Sequence, residues 1–263
     1  MRLGSSGHPA LAIVWKNVTR LFRSVSPAFI VVLFVAVGAG ALLSIMEGRE
    51  RPALLTLVAT LSLGWTAALA VLGPQWVRID IRSELDMLPI LRTWPLSGTA
   101  LMTGQVLSSA IVLTGLQLLL GGIGLLMLAL SGEIGLPGLQ VAVFGAVGLV
   151  VVGCVNFVAL CIQNGAALLF PSWVRTEIRP GGIEQMGQHL LTAGISLLLL
   201  LVVAAGPALV GAGAVYLLRP SLDWWALVPG GLLTSVGLGI ESFLFLDWLG
   251  GRFERLDPSS IQA

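Results

Sequence analysis

Six ionisable side chains form the densest source of chemistry in the chain. Arg78, Asp80, Arg82, Glu84, Asp86 and Arg92 fall within 15 residues, in a sequence of which only 10% is charged. Apolar Ile81, Leu85, Leu88 and Leu91 recur among them at helical spacing. Pro89 and Pro95 break that helix, and Trp76 and Trp94 bracket it. Balanced signs on a short, stiff helix suit docking to a soluble partner, with Arg78, Asp80, Arg82, Glu84 and Asp86 as the contact. The alternative is a solvated loop helix. Glu241, in GLGIESFLF, is the one carboxylate well inside an apolar run. It reads either as a proton or substrate site or as a structural carboxylate bonded to a neighbouring helix. Burial of such a group costs about 2.5–3.5 kcal/mol on insertion scales. Asn156, Gln117, Gln163 and Asn164 read as interhelical hydrogen-bonding groups.

Several chemistries are excluded. A phosphate-binding loop needs a lysine after its glycines. The only lysine is Lys16, with no such loop before it, so the chain is not expected to hydrolyse ATP. There is no His-Glu-x-x-His and no Gly-x-Ser-x-Gly, and His8 and His189 are isolated. Cys154 and Cys161 lie seven apart in one apolar stretch, as thiols without disulfide or zinc spacing. No metal site or cofactor is expected in the chain, and a net charge of +1 gives no nucleic-acid footprint.

The elements that position these residues are hydrophobic. The 263 residues are 56% hydrophobic, with a mean hydropathy of +0.97. Soluble domains carry roughly 25% charge, and apolar runs longer than 18 residues exclude a β-barrel pattern. The expected fold class is an all-α membrane protein with six transmembrane helices. Residues 1–26 form a cytoplasmic segment, 27–250 the membrane domain and 251–263 a cytoplasmic tail. No cleavable signal is evident.

Within 10–26, Leu11, Trp15, Val18, Phe22 and Val25 share one helical face, and Lys16, Arg20 and Arg23 gather on another. That predicts an amphipathic helix in the headgroup plane, either a simple anchor or an elbow that moves with the first span. The expected spans are 27–46, 53–76, 99–130, 139–162, 189–218 and 226–248. Polar stretches occupy 47–52, 77–97, 131–138, 163–188 and 218–225, the last with Trp224 and Trp225 as an aromatic belt. Gly121, Gly122, Gly124, Gly145, Gly148 and Gly153 read as close helix packing. Eleven of the fourteen cations lie on the side of both termini and the charged loop, which makes that side cytoplasmic.

WKNVTRLFR (15–23), GPQWVRIDIRSELDMLPILRTWPLS (73–97), QNGAALLFPSWV (163–174), GGIEQMGQHLL (181–191) and RFERLDPS (252–259) carry a resemblance across most of the chain. The pattern resembles permease subunits of ABC exporters of the type-2 kind, more narrowly bacterial ABC exporter membrane proteins. That resemblance implies a coupling helix over about 77–94, seated on a separate ABC ATPase subunit that holds ATP and Mg. It implies an elbow containing Trp15, Lys16, Arg20 and Arg23, and location in the inner membrane. It also implies a homodimer or a second permease, because six spans alone do not enclose a path. Two other classes stay open: a proton- or ion-coupled carrier using Glu241, with Asn156 as a further intramembrane polar group, and a scaffold without transport.

Overall fold

A computed structural model describes residues 9–24, 51–132, 135, 137–171 and 183–256. Among them every regular element is helical. The order is α1 (Pro9–Ser24), α2 (Arg51–Trp76), two 3-10 turns (Ile81–Ser83 and Leu85–Met87), the one-turn α3 (Leu88–Leu91), α4 (Gly98–Ser131), α5 (Gly138–Leu169), α6 (Ile183–Leu222), a 3-10 turn (Asp223–Ala226) and α7 (Leu227–Arg255). The expected first span, His8, the Arg175 and Arg179 region and the end of the tail lie outside the described residues.

Four stretches are long and apolar enough to cross a membrane: Pro52–Trp76, Gly98–Ser131, Gly138–Leu169 and Leu190–Arg255. The chain is therefore a membrane protein. The fourth stretch has 66 residues. As one straight helix it would reach about 100 Å, three times the roughly 30 Å hydrocarbon core. It is instead α6 and α7 folded against each other. Asp223 supplies the left-handed backbone of the reversal, at φ 51°, a conformation Asp tolerates better than most residues. Beyond it Gly211 and Gly230 meet backbone to backbone, and Pro207 sits on Gly237. Arg219 stacks on Trp224 at 4.9 Å and Phe144 meets Trp225 edge-on at 5.6 Å, so the tryptophans brace this end of the hairpin.

Glycines set the other close approaches. A Cβ at Gly121, Gly124, Gly145 or Gly153 would collide with or press on Leu149, Leu63, Leu125 or Thr114 respectively, as the packing reading expects. Gly122 and Gly148 face open space instead. Gly104 notches α4 for α1: a Cβ there would lie 2.8 Å from Ile13 Cβ and 2.9 Å from the Ala10 carbonyl. This notch decides which side of α1 is inward. Ala10, Ile13 and Asn17 are buried, whereas Leu11 and Trp15 (75% exposed) point away from the protein.

The largest core cluster lies at one end of the bundle. Ile81, Leu85, Leu88 and Leu91 close over Leu101, Met102, Val106, Leu160, Leu249 and Phe253. Thus the apolar stripe read from the sequence is the inner face of the 77–97 segment. The single helix expected over 77–94 is not formed. Two 3-10 turns and one α-turn replace it, because Asp80 caps the first turn by accepting from Arg82 N and extended backbone precedes it. The fourth span also runs past its expected end at 162, to Leu169, so Asn164 lies inside a helix.

Gly211→Val should cost about 1–3 kcal/mol by overpacking the hairpin, whereas Gly213→Val, which faces open space, should cost well under 1 kcal/mol. Unfolding of the two variants in the same detergent measures the difference.

Candidate functional site

The charged segment is built around a buried ion pair. Asp80 and Arg82 are both buried, and the Asp80 side chain is 0% exposed. Arg82 Nε donates to Asp80 Oδ1 at 2.8 Å and Nη2 donates to Oδ2 at 2.7 Å, a two-pronged pair. The same Oδ2 accepts from Ser109 Oγ of α4 at 2.9 Å and from Asn164 Nδ2 of α5 at 3.1 Å. The guanidinium has further work at the end of α2. Nη1 donates to the Pro74 carbonyl and Nη2 to the Val77 carbonyl, each at 2.6 Å. Carbonyls at a helix C-terminus lack intrahelical donors and carry partial negative charge, so a cation there satisfies both needs. One pair therefore ties the end of α2 to α4 and α5. Asn164 Nδ2 also donates to Leu160 O, which fixes the amide orientation and leaves Oδ1 buried without a partner.

Glu84 is the centre of a second, wetter cluster. Lys16 Nζ donates to its two oxygens at 2.7 and 3.0 Å, and Arg20 Nη1 reaches Oε1 at 3.5 Å. Gln105 Nε2 donates to Oε2 at 2.7 Å, and Gln105 Oε1 accepts from Asn17 Nδ2 at 2.9 Å. Asn17 also donates to Ser108 Oγ at 3.1 Å. Lys16 further lies 5.4 Å from the Trp94 ring centre. The Lys16 and Arg20 side chains are 40% and 64% exposed, so solvent screens this joint more than the Asp80–Arg82 joint.

A third tie closes the segment. Arg92 donates from Nη1 to Leu256 O at 2.5 Å and from Nη2 to Glu254 O at 2.6 Å, capping the C-terminus of α7. Glu254 Oε1 in turn accepts from Gly98 N, the first residue of α4, at 2.7 Å. A carboxylate at a helix N-terminus and an arginine at a helix C-terminus both suit the local dipoles.

The five residues expected to face a partner therefore divide. Asp80, Arg82 and Glu84 turn inward and hold the segment in place; with their partners in other helices, they have no surface to offer. Arg78 and Asp86 are exposed, with Arg78 Nε donating to Gln75 O at 3.2 Å. Met87 and Ile90, each 57% exposed, stand beside Asp86 on the same outward ridge. In α1, Lys16 and Arg20 meet Glu84, while Trp15 and Arg23 face outward. Sequence reasoning missed Asn17, Gln105, Ser108, Ser109 and Glu254. The available signal was the polar triplet Gln105, Ser108 and Ser109, on one helical face in an otherwise apolar run.

The two intramembrane polar positions lie elsewhere and apart. Asn156 of α5 donates to Gln117 Oε1 of α4 and, at 3.3 Å, to Thr114 Oγ1; Gln117 Nε2 donates to Thr66 O of α2 at 3.3 Å. That arrangement is an interhelical clamp. Glu241 lies mid-helix in α7 beside α6, and its Oε2 is buried without a hydrogen-bond partner. Cys154 and Cys161 are free thiols. No group of His, Cys, Asp and Glu suited to a metal occurs among the described residues.

Arg82→Met should destabilise the protein by about 3–5 kcal/mol, because Asp80 is left buried without its counter-charge. Adding Asp80→Asn to that variant should recover part of the loss. Unfolding of the single and double variants in detergent tests both signs. No protein-family model, no curated protein and no solved structure matches the chain.

Proposed function

We propose that this chain is the membrane-spanning permease subunit of an ATP-driven exporter of the ABC kind, working with a separate nucleotide-binding subunit. The observation that carries this reading is the bracing of residues 77–97. A segment that transmits force must be stiffly joined to the helices it moves. Here hydrogen bonds from the charged groups Asp80, Arg82 and Arg92 join it to α2, α4, α5 and α7, and a screened ion pair joins it to α1. Its outward side offers Met87 and Ile90 beside Asp86, with Arg78 exposed earlier in the same segment, and exposed apolar side chains near charge suit a groove on a soluble subunit.

In this mechanism ATP binding closes two nucleotide-binding subunits and draws together the ridges of two paired permeases. Only differential affinity of the ATPase for the two permease states can drive the switch. The ridge supplies contact; Asp80, Arg82 and Arg92 convert displacement of the ridge into displacement of helix ends. The positive-inside rule applied to the cations of the sequence supports a cytoplasmic side for the charged segment and both termini, and the inner membrane is the location this reading implies. ATP and Mg belong to the partner.

A second reading, an ion- or proton-coupled carrier, has one specific observation in its favour: the unpartnered Glu241 oxygen in the α6–α7 wall. It predicts transport that ignores ATP depletion and fails in Glu241→Gln.

Met87→Asp combined with Ile90→Asp should abolish co-purification of a Walker-type ATPase with the tagged chain while leaving its yield and unfolding midpoint unchanged. Mass spectrometry and ATP hydrolysis of the purified complex give the readout. Absence of any such ATPase from the wild-type preparation, or its retention by the double variant, counts against the exporter.

A further inference from the structure

Two recesses in the lower bundle share a wall. One, of about 300 Å³, lies between α5, α6 and α7 and is almost wholly apolar. The other, of about 560 Å³, opens between α6 and α7 and is bounded by Val202, Val203, Leu244 and Glu241. Phe245 and Trp248 belong to both. Their rings meet edge-on, 5.5 Å apart at 71°, and Gly165 of α5 makes room for them, a Cβ there lying 3.3 Å from Trp248 and 3.6 Å from Phe245. Glu241, Phe245 and Trp248 recur at i, i+4 and i+7, so carboxylate and rings form one stripe of α7.

Glu241 is the only charged residue among those described that bound either recess. It stands mid-helix in α7, six residues or about 9 Å along the axis before Asp247, the next charged side chain. A carboxylate oxygen buried there without a donor is costly, and intramembrane ionisable groups are retained chiefly for function. What would satisfy it is a ligand with a positive N–H. Aromatic faces alongside favour the same ligand, because ring quadrupoles attract cations most strongly where water is excluded. The apolar neighbour then takes the ligand's hydrocarbon body.

We propose that Glu241, Phe245 and Trp248 form a binding site for hydrophobic organic ammonium ions, entered from the lipid side between α6 and α7. This names the substrate class of the exporter proposed above and rests on that reading only for the direction of movement. Binding itself needs no ATPase, so the site and the exporter reading stand or fall on separate measurements.

The test is equilibrium binding to the full chain in lipid nanodiscs, with 1-pyrenemethylammonium as probe and energy transfer from tryptophan as signal. 1-Pyrenemethanol, with the same body and no charge, measures partition into lipid and apolar grooves. Wild-type protein should prefer the ammonium. Glu241→Gln, which keeps size and shape, should weaken ammonium binding roughly ten- to hundredfold, as loss of a charged hydrogen bond implies, and leave the alcohol unchanged. Glu241→Asp should keep the preference. Equal affinity of wild type for the two probes, or equal affinity of wild type and Glu241→Gln for the ammonium, would overturn the site.

Discussion

The Asp80–Arg82 pair is the constraint on which this end of the bundle depends. Isolated, it would be a poor investment, since desolvating two charges costs several kcal/mol per ion. It is tolerated because almost every hydrogen-bonding site is used. Asp80 accepts from Arg82 backbone and side chain, Ser109 and Asn164; Arg82 reaches two carbonyls at the end of α2 as well as the carboxylate. Those carbonyls would otherwise be unpaired beside an apolar core. The pair thus solves a problem of helix ends, and the segment's conformation follows from it. The backbone after Val77 must turn so that residues 80 and 82 point back at α2, and short 3-10 turns do this where a straight helix would carry Arg82 away.

The same logic recurs with different residues. Arg92 closes α7, Glu254 closes α4, and Ser97 accepts from Ala100 N at the start of α4. The C-terminus of α2, the N-terminus of α4 and the C-termini of α5 and α7 gather at this face, where the polar side chains of 77–97 are shared among them. Helix ends at a membrane boundary leave backbone groups that lipid cannot satisfy. A charged connector that caps several helices at once makes those ends mutually dependent. This explains how a segment with so many charges can also be the lid of the largest apolar cluster: Arg82 and Arg92 go to helix ends, Asp80 and Glu84 to polar side chains of neighbouring helices, and Ile81, Leu85, Leu88 and Leu91 to the core.

Much of this was legible in the sequence. Hydropathy located α2, α4 and the start of α5, and spacing located the inward stripe of 77–97. Two features misled. Residues 81, 85, 88 and 91 fit helical spacing, yet consecutive tight turns keep the same side inward, so periodicity alone could not distinguish them. The charges of the connector read as a contact for a partner, with a solvated loop helix as the alternative, because the groups that bury Asp80 and Glu84 are remote: Ser109 is 29 residues from Asp80, Asn164 is 84, and Lys16 is 68 from Glu84. Likewise Gln163 and Asn164 open a polar stretch in the sequence, yet helix α5 continues through them to Leu169, and Asn164 makes an interhelical hydrogen bond to Asp80. For α1, amphipathicity is visible in the sequence, but its inward side is set by Gly104 on another helix.

The joints are unequal, and that inequality bears on how such a bundle could move. Asp80–Arg82 is sealed, so α2, α4 and α5 are locked together at this face. Glu84 holds α1 through Lys16 and Arg20, both substantially exposed, where water can replace a broken bond at small cost. The buried grip of α1 comes from Asn17, with Gln105 and Ser108, and from Ala10 and Ile13 at the Gly104 notch. A displacement applied at Met87 and Ile90 would therefore be carried rigidly into the helix ends, while α1 is the element most able to shift against them. In the proposed exporter, stiffness and compliance are thus separated. There the hydrogen bonds of Asp80 and Arg82 would deliver motion from the ridge, and the outward-facing Leu11 and Trp15 would keep α1 in contact with lipid as its polar side slides.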